Sequence, residues 1–166
     1  NYFTQPAHAE SIVIATYQSL YPMQTSQAWL ITELRTGAAN SAFSANGGFP
    51  SFQLVRSLDM SADHPSVEQI WNSHYQGIGN ANLAISRIPG INMDEAIKSR
   101  LLGEVRFLRA YYYFNLVRIF GEIPLILQPV DLGSDELTPM RSSVADIYEL
   151  ITEDLISAEG SGLTFN

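Results

Sequence analysis

The chain has 166 residues, of which 46% are hydrophobic and 16% charged, and this composition suits one globular domain with a buried core. Nine basic and seventeen acidic side chains give a net charge of −8. That charge, with Lys98 as the one lysine, disfavours binding to nucleic acid and to anionic membrane surfaces, because both need clustered basic residues. Since the sequence has no cysteine, it excludes disulfides, thiolate catalysis and cysteine-ligated zinc.

The spacing of apolar residues predicts a helix and then a long loop in the first part of the chain. The helix is predicted from Ala7 to Tyr21, where Pro22 stops it. The apolar stretch Ala28–Leu34 predicts one or two further helical turns. Gly37–Pro65 is rich in Gly, Ser, Asn and Phe without a sustained period, which predicts a loop. Loops of this length in compact domains tend to be functional or disordered.

Two longer helices are predicted next. Ser66 is the candidate N-cap of the first, with Gln69 in place for a capping box, and Pro89-Gly90 ends it. The second begins after Asn92 and ends at Gly121. Because only a few residues separate these helices, we expect them to pack as an antiparallel hairpin.

The last predicted helix begins at Ser142 or Ser143, after an extended crossing over Pro124–Met140. Its apolar face, for which the remaining sequence offers no partner, consists of Val144, Ile147, Ile151 and Leu155. The predicted fold is therefore all-α, with helical hairpins of the tetratricopeptide type and long irregular loops. We also expect the chain to be a piece of a longer protein, because an amphipathic helix needs a partner.

The second long helix carries a recognisable run, GEVRFLRAYYYFNLVRIFGEIPL, at residues 103–125. This run resembles the hallmark segment of the SusD/RagB family, in which Gly-Glu-x-x-Phe-Leu-Arg-Ala leads to Phe-Gly-x-x-Pro-Leu. The segments 70–82 and 141–155 are similar to two other helices of the family, in the same order. Glu33-Leu34-Arg35 also resembles a short family segment, although Thr36-Gly37 replaces its usual acidic continuation.

The resemblance implies a SusD-like outer-membrane lipoprotein that binds glycans and is not an enzyme. It further implies a surface-exposed position, a lipid anchor upstream of Asn1, and delivery of the glycan to a TonB-dependent transporter of the SusC type. Residues 1–166 would then be the N-terminal part of a SusD-like domain. The alternative hypothesis is a helical-repeat scaffold that binds only protein partners, which the acidic charge and the predicted hairpins fit equally well.

Motifs of catalysis and cofactor binding are weak or missing in the sequence. His8, His64 and His74 have no metal-ligand spacing, and no P-loop, nucleophile elbow or dinucleotide fingerprint occurs. Asp59 and Asp63 could form the carboxylate pair that glycoside hydrolysis needs, but two loop carboxylates are more often caps or turn residues. The sequence therefore predicts neither an enzyme nor a cofactor or metal site.

A glycan site is predicted at the Gly37–Pro65 loop. Sugars present apolar C–H faces and fixed hydroxyls, so their sites combine aromatic rings with amide, carboxylate and guanidinium groups. The predicted ligand-binding residues are Trp29, Arg35, Asn40, Phe43, Asn46, Phe49, Phe52, Arg56 and Asp59. The alternative for the aromatic residues is burial in the core, which is common for phenylalanine in such loops.

Overall fold

In a computed structural model of the chain, the residues described are 3–21, 65–129 and 139–163. The helices within these ranges are α1 (Pro6–Gln18), α2 (Pro65–Arg87), a short 3-10 helix (Ile88–Gly90), α3 (Glu95–Phe120) and α4 (Val144–Glu159). The strands within them are the two-residue β1 (Ile123–Pro124) and β2 (Arg141–Ser142), which pair antiparallel. The predicted all-α class is confirmed.

The chain forms two compact units, one of residues 1–19 with 74–166 and the other of residues 20–73. In the smaller unit, the described residues are 20, 21 and the first nine of α2, where the hydroxyl of Ser73 donates to the carbonyl of Ile70 at 3.1 Å. The larger unit contains α1, the rest of α2, α3 and α4. The predicted turns at Ala28–Leu34 and the predicted loop up to residue 64 lie outside the described residues.

Local capping groups account for the ends of α3 and α4. Asp94 precedes α3, and its Oδ1 accepts hydrogen bonds from the second and third helical amides at 2.9 and 3.0 Å. Ser143 caps α4 in a reciprocal capping box with Asp146. Gly121 ends α3 with φ of +72°, a left-handed value that favours glycine. The predicted end of α3 at Gly121 is confirmed, and of the two predicted starts of α4, Ser142 and Ser143, the structure has Ser143 as the N-cap.

Two predicted helix boundaries are wrong. Helix α1 ends at Gln18 rather than Tyr21, because the amide of Ser19 turns back to the carbonyl three residues earlier at 3.3 Å. Helix α2 begins at Pro65, so Ser66 lies inside the helix and is not its N-cap. Proline suits the first turn, where the N–H that it lacks would have no helical acceptor.

The second part of α2 packs antiparallel against α3, as predicted. His74 and Gly77 lie against Tyr112, while Asn82 meets Arg109, so contact positions rise along α2 as they fall along α3. A hydrophobic cluster joins this hairpin to α1, and its buried members are Ala9, Val13, Ala81, Ala84, Ile88, Ile91, Leu101 and Val105. Burial of these side chains is the main stabilising term that holds α1 to the hairpin.

Helix α4 packs antiparallel against another side of α3. The side chain of Arg109 meets Asp154, and the hydroxyl of Ser99 donates to the carbonyl of Ser161 at 3.3 Å. Because Ile147 and Ile151 are buried at this contact, the prediction that the face of α4 lacks a partner is wrong for both residues. Val144 and Leu155, from the same predicted face, remain about two fifths exposed, at 41% and 42%.

Candidate binding surfaces

The nine residues predicted to bind glycan all lie outside the described residues, within the interval 22–64. They are Trp29, Arg35, Asn40, Phe43, Asn46, Phe49, Phe52, Arg56 and Asp59. Two other features stand out in the larger unit. One is a buried polar network, and the other is an exposed aromatic groove.

The polar network is centred on Arg109 of α3. Its Nε and one terminal nitrogen donate to the two carboxylate oxygens of Asp154 at 2.7 and 2.8 Å, and the other terminal nitrogen donates to the Oδ1 of Asn82 at 2.9 Å. The three residues are nearly inaccessible, with exposed fractions of 7%, 3% and 1% in that order. Hydrogen bonds thus satisfy three nitrogens of the guanidinium and both oxygens of the carboxylate, as a buried charged pair requires.

The network continues to the segment that follows α3, residues 123–128, which we call the strap. The side-chain amide of Asn82 donates to the carbonyl of Ile126 at 2.8 Å and approaches that of Gln128 at 3.4 Å. The hydroxyl of Tyr113 donates to the Ile126 carbonyl and accepts from the Ile126 amide, both at 2.8 Å. Tyr75 donates to the carbonyl of Pro124 at 2.8 Å. Side chains of α2 and α3 therefore fix the backbone of the strap.

Burial raises the pKa of both strap-binding phenols. It raises the pKa of Tyr113 to about 12, although the hydrogen bond to Ile126 and the charge of Arg109 act in the opposite direction. Burial also raises the pKa of Tyr75, with a smaller contribution from Tyr113. Both hydroxyls consequently remain hydrogen-bond donors near neutral pH, and neither is suited to proton transfer there.

The chemistry of the network is that of a structural clamp. Both carboxylate oxygens of Asp154 accept hydrogen bonds from Arg109, and the side chain is almost completely buried. The described part of the chain brings no three His, Asp or Glu side chains together as a metal ion would need. Among the same residues, none of the helices combines the length and hydropathy of a membrane span.

The sequence contains a signal for this clamp that the prediction of the site did not use. The signal is a charged residue at a position of the buried apolar stripe in both α3 and α4. Arg109 occupies the stripe formed by Val105, Tyr112 and Leu116, all of which are buried. Asp154 falls in the stripe of Ile147, Ile151 and Ala158 on α4 in the same way. A charged residue inside an apolar stripe predicts a charged partner, because an unpaired buried charge is very unfavourable.

The hallmark run itself serves helix packing. A Cβ atom at Gly103 would overlap the side chain of Ser161. Glycine at this position therefore allows the turn after α4 to pack closely against α3. The rings of Tyr112 and Tyr113 are fully buried, and the hydroxyl of Tyr112 donates to the carbonyl of Thr16 in α1 at 2.6 Å. The run thus joins α3 to α1, to α4 and to the strap.

The aromatic groove lies between α3 and α4 and has a volume of about 290 Å³. It is lined by Phe107, Ala110, Tyr111, Phe114, Tyr148, Ile151 and Leu155. The rings of Phe114 and Tyr148 meet edge to face, with 6.4 Å between their centroids. The Cζ atom of Arg118 lies 4.9 Å from the centroid of the Phe114 ring. The accessible wall formed by these described residues is apolar.

An apolar wall is unsuited to a sugar as the main ligand. Carbohydrate hydroxyls need hydrogen-bonding partners on the protein, and a hydroxyl that is desolvated without one costs about 1–3 kcal/mol.

A second depression, of about 530 Å³, is more polar and lies where the start of α3 meets residues 160–162. Its arginine, Arg100, pairs with Glu104 as the sequence spacing allows.

The sequence matches a known protein family over most of its length. A family model of SusD-like proteins, described as starch-binding and associating with the outer membrane, matches residues 3–160. The chain belongs to the SusD-like family.

Curated relatives carry the same family name. SusD-like protein P2 of Formosa agariphila is 36% identical over 101 residues, which cover 61% of this chain and 20% of the relative. A SusD-like protein of Bacteroides ovatus is 26% identical over 128 residues, covering 75% of this chain and 22% of the relative. The matched part of this chain thus spans about a fifth of the length of these proteins.

Solved structures agree over almost the whole chain. A laminarin-binding SusD-like protein has a TM-score of 0.80 and 26% identity, with 95% of this chain and 34% of that chain covered. A SusD superfamily protein from Parabacteroides distasonis has a TM-score of 0.82 and 32% identity, with coverages of 96% and 35%. This chain therefore corresponds to about a third of each structure.

Proposed function

We propose that this chain is part of a protein that binds glycans at the outer-membrane surface of a bacterium. The match of the SusD-like family model to residues 3–160 carries the proposal. The laminarin-binding relative, whose structure aligns with 95% of this chain, supports an oligosaccharide or polysaccharide as the ligand. The role is one of binding rather than catalysis, in keeping with a buried polar network that performs a structural task.

The proposal extends to the partner and the location. The bound glycan is delivered to a TonB-dependent transporter of the SusC type, and the protein is attached to the outer membrane by a lipid anchor upstream of Asn1. The family description, which names association with the outer membrane, supports the location. Residues 1–166 act as the N-terminal part of the SusD-like domain, which agrees with the length of the solved relatives.

Within the chain, the proposed contacts come from the Gly37–Pro65 loop and its approach. The rings of Trp29, Phe43, Phe49 and Phe52 supply stacking surfaces. Polar contacts come from Arg35, Asn40, Asn46, Arg56 and Asp59. The support is the composition of this segment, which mixes aromatic and hydrogen-bonding side chains in a long loop. The wall of the aromatic groove, by contrast, is apolar.

Calorimetric titration of laminarin and other glycans into the longer protein tests this function. Single alanine variants of Trp29, Phe49 and Phe52 should weaken binding by roughly 1–3 kcal/mol, or about one to two decades in affinity, if the ring stacks on the sugar. Tyr21→Ala removes an exposed ring outside the proposed set and should leave affinity unchanged. If no glycan binds while a protein partner is retained in pull-down, the scaffold hypothesis replaces this one.

A further inference from the structure

A row of polar and aromatic side chains runs along the exposed face of α3, beside α1. Arg100, Glu104 and Tyr111 share this face over about three turns, because they follow one another at spacings of four and seven. Tyr17 of α1 meets the row at Glu104. Burial raises the pKa of Tyr17, and the charge of Glu104 and a hydrogen bond to its carboxylate raise it further. We call these four residues the seam.

The seam residues are accessible, although part of each packs on the helices. Tyr17 and Tyr111 both have an exposed fraction of 41%. The side chains of Arg100 and Glu104 are 48% and 16% exposed. The ring of Tyr111 meets the buried ring of Tyr112 edge to face, with 6.4 Å between the centroids, and the hydroxyl of Tyr112 is bonded to α1. Buried contacts between α1 and α3 therefore support the accessible rings of the seam.

The four side chains combine the groups that a sugar site needs. Each tyrosine presents an apolar ring face to sugar C–H groups and a hydroxyl at the edge of the ring. Arg100 donates a hydrogen bond to Glu104, which fixes the two groups relative to each other before any ligand arrives. A guanidinium has five N–H donors and a carboxylate about four acceptor sites, more than this one ion pair uses. Neighbouring sugar hydroxyls can therefore bond to both groups.

The shape of this surface is open and elongated. Arg100 also borders the polar depression of about 530 Å³, which is lined in addition by Ser99, Ser161 and the backbone of residues 160 and 162. From Arg100 to Tyr111 the helical rise gives a length of about 16 Å. A small molecule usually binds in a concave pocket that buries most of its surface. The open surface along α3 instead suits a chain of several sugar units.

The charges of this surface indicate the class of glycan. The positive charge of Arg100 is compensated by Glu104, and that of Lys98, on the preceding turn, by Glu95. An anionic sugar would therefore find no uncompensated cation among these described residues. The whole chain, with seventeen acidic and nine basic side chains, repels anions as well. A neutral glycan meets neither obstacle.

We propose that the seam is a second glycan-contact surface of this protein and that it takes neutral polysaccharide chains. The chain lies along α3, with sugar rings against Tyr17 and Tyr111 and with hydroxyls bonded to Arg100 and Glu104. All four residues lie outside the Gly37–Pro65 loop and its approach. The inference rests on the proposed glycan-binding function, but it does not depend on which loop residues contact the ligand.

Affinity electrophoresis of the longer protein tests the seam. The gels contain laminarin, galactomannan or xyloglucan, which are neutral polysaccharides. Tyr17→Ala, Tyr111→Ala and Arg100→Ala should each weaken binding about three- to tenfold, less than the loss of a fully buried anchor, because these side chains are half-exposed. Tyr148→Ala is the matched control, since it removes a ring with the same exposed fraction of 41% from outside the seam.

Further variants separate ring stacking from a loss of folding. Tyr17→Phe and Tyr111→Phe keep the aromatic ring and should retain most of the affinity, and thermal denaturation checks that every variant is folded. Alginate, a polyuronate, tests the charge of the ligand, and we expect the seam variants to migrate in it as the parent protein does. Retardation by alginate that the seam variants abolish would overturn the assignment to neutral glycans.

The outcomes distinguish the seam from the proposed function. Weaker binding in the seam variants, with the parent affinity in Tyr148→Ala, supports the inference. Seam variants that bind like the parent protein overturn the inference and leave glycan binding by the loop intact. If none of the neutral polysaccharides retards the parent protein, the proposed function fails, and the seam fails with it.

Discussion

Arg109 and Asp154 form a bidentate ion pair that joins α3 to α4 across 45 positions of sequence, with both side chains almost completely buried. A guanidinium and a carboxylate paired in this way attract each other by charge, and their two parallel hydrogen bonds also fix the relative orientation of the two groups. Since Asn82 uses the same guanidinium, α2, α3, α4 and the strap meet at one point. The pair therefore fixes the register of α4 on the α2–α3 hairpin.

Removal of the carboxylate should be strongly destabilising. Asp154→Ala leaves the guanidinium of Arg109 buried without its counter-charge, and such losses reduce the free energy of unfolding by about 3–5 kcal/mol. Glu153→Ala, at the exposed neighbouring position, should change it by less than about 0.5 kcal/mol. Urea denaturation followed by circular dichroism measures both. Equal stability of the two variants would show that the pair contributes little.

Replacement of Asn82 should loosen the backbone of the strap, because its side chain bonds to two carbonyls there. Asn82→Ala removes the donor to the carbonyls of Ile126 and Gln128 and the acceptor for Arg109, and each buried group left unpaired costs about 1–3 kcal/mol. We expect faster hydrogen exchange at the amide of Ile126, which bonds to Tyr113.

A nearby asparagine provides the control for that measurement. Asn80, on the same helix, bonds to the carbonyl of Ala15 and the hydroxyl of Ser19, both at 3.3 Å, and has no hydrogen bond to the described residues of the strap. Asn80→Ala should leave exchange at the strap as in the parent protein. If the Asn82 and Asn80 variants raise exchange at Ile126 to the same extent, the effect is global and the clamp has no selective role.

The buried phenol of Tyr113 should make stability fall at high pH. Burial raises its folded pKa to about 12 from an ordinary value of 10.0, so the folded state keeps a proton that the unfolded state loses. The stabilisation is complete below pH 10 and is lost as the pH rises from 10 through 12, with a slope on the order of 1 kcal/mol per pH unit. Denaturation between pH 9 and 11 measures this slope.

A single variant tests the contribution of that phenol. Tyr113→Phe should reduce the slope without removing it, because burial also raises the pKa of Tyr75 and of Tyr112. The variant is less stable at neutral pH because the strap loses its two hydrogen bonds to Tyr113. An unchanged slope in Tyr113→Phe would assign the alkaline loss of stability to other groups.

The all-α class, the long hairpin helices and several boundaries could be predicted from sequence because they depend on local signals. Apolar spacing defined α2, α3 and α4, and short-range groups at Ser143 and Gly121 marked helix ends. The end of α1 at Gln18 was missed because a proline restricts the preceding residue but does not fix where the last helical hydrogen bond forms.

Contacts between distant residues could not be predicted in the same way. The partner of Arg109 lies 45 positions away, and periodicity shows only that a charge is placed in a buried stripe. The face of α4 was expected to be partnerless because only a few residues follow that helix, whereas α3, which precedes it, is long enough to bury Ile147 and Ile151 on a second side. The proposed glycan-binding residues of the Gly37–Pro65 loop remain a prediction from composition.

Two glycines of α2, only two residues apart, should respond to alanine in opposite directions. At Gly77, a Cβ would lie 2.5 Å from ring atoms of Tyr112, whose fully buried ring is held by its bond to Thr16 and cannot move aside. Gly77→Ala should therefore lower the free energy of unfolding by about 1–3 kcal/mol through overpacking. At Gly79, a Cβ would have no neighbour within 4 Å, so Gly79→Ala should raise it by about 0.5–1 kcal/mol through helix propensity. Thermal and urea denaturation of both variants measure the difference, and a stabilised Gly77→Ala protein would contradict the close packing of α2 on Tyr112.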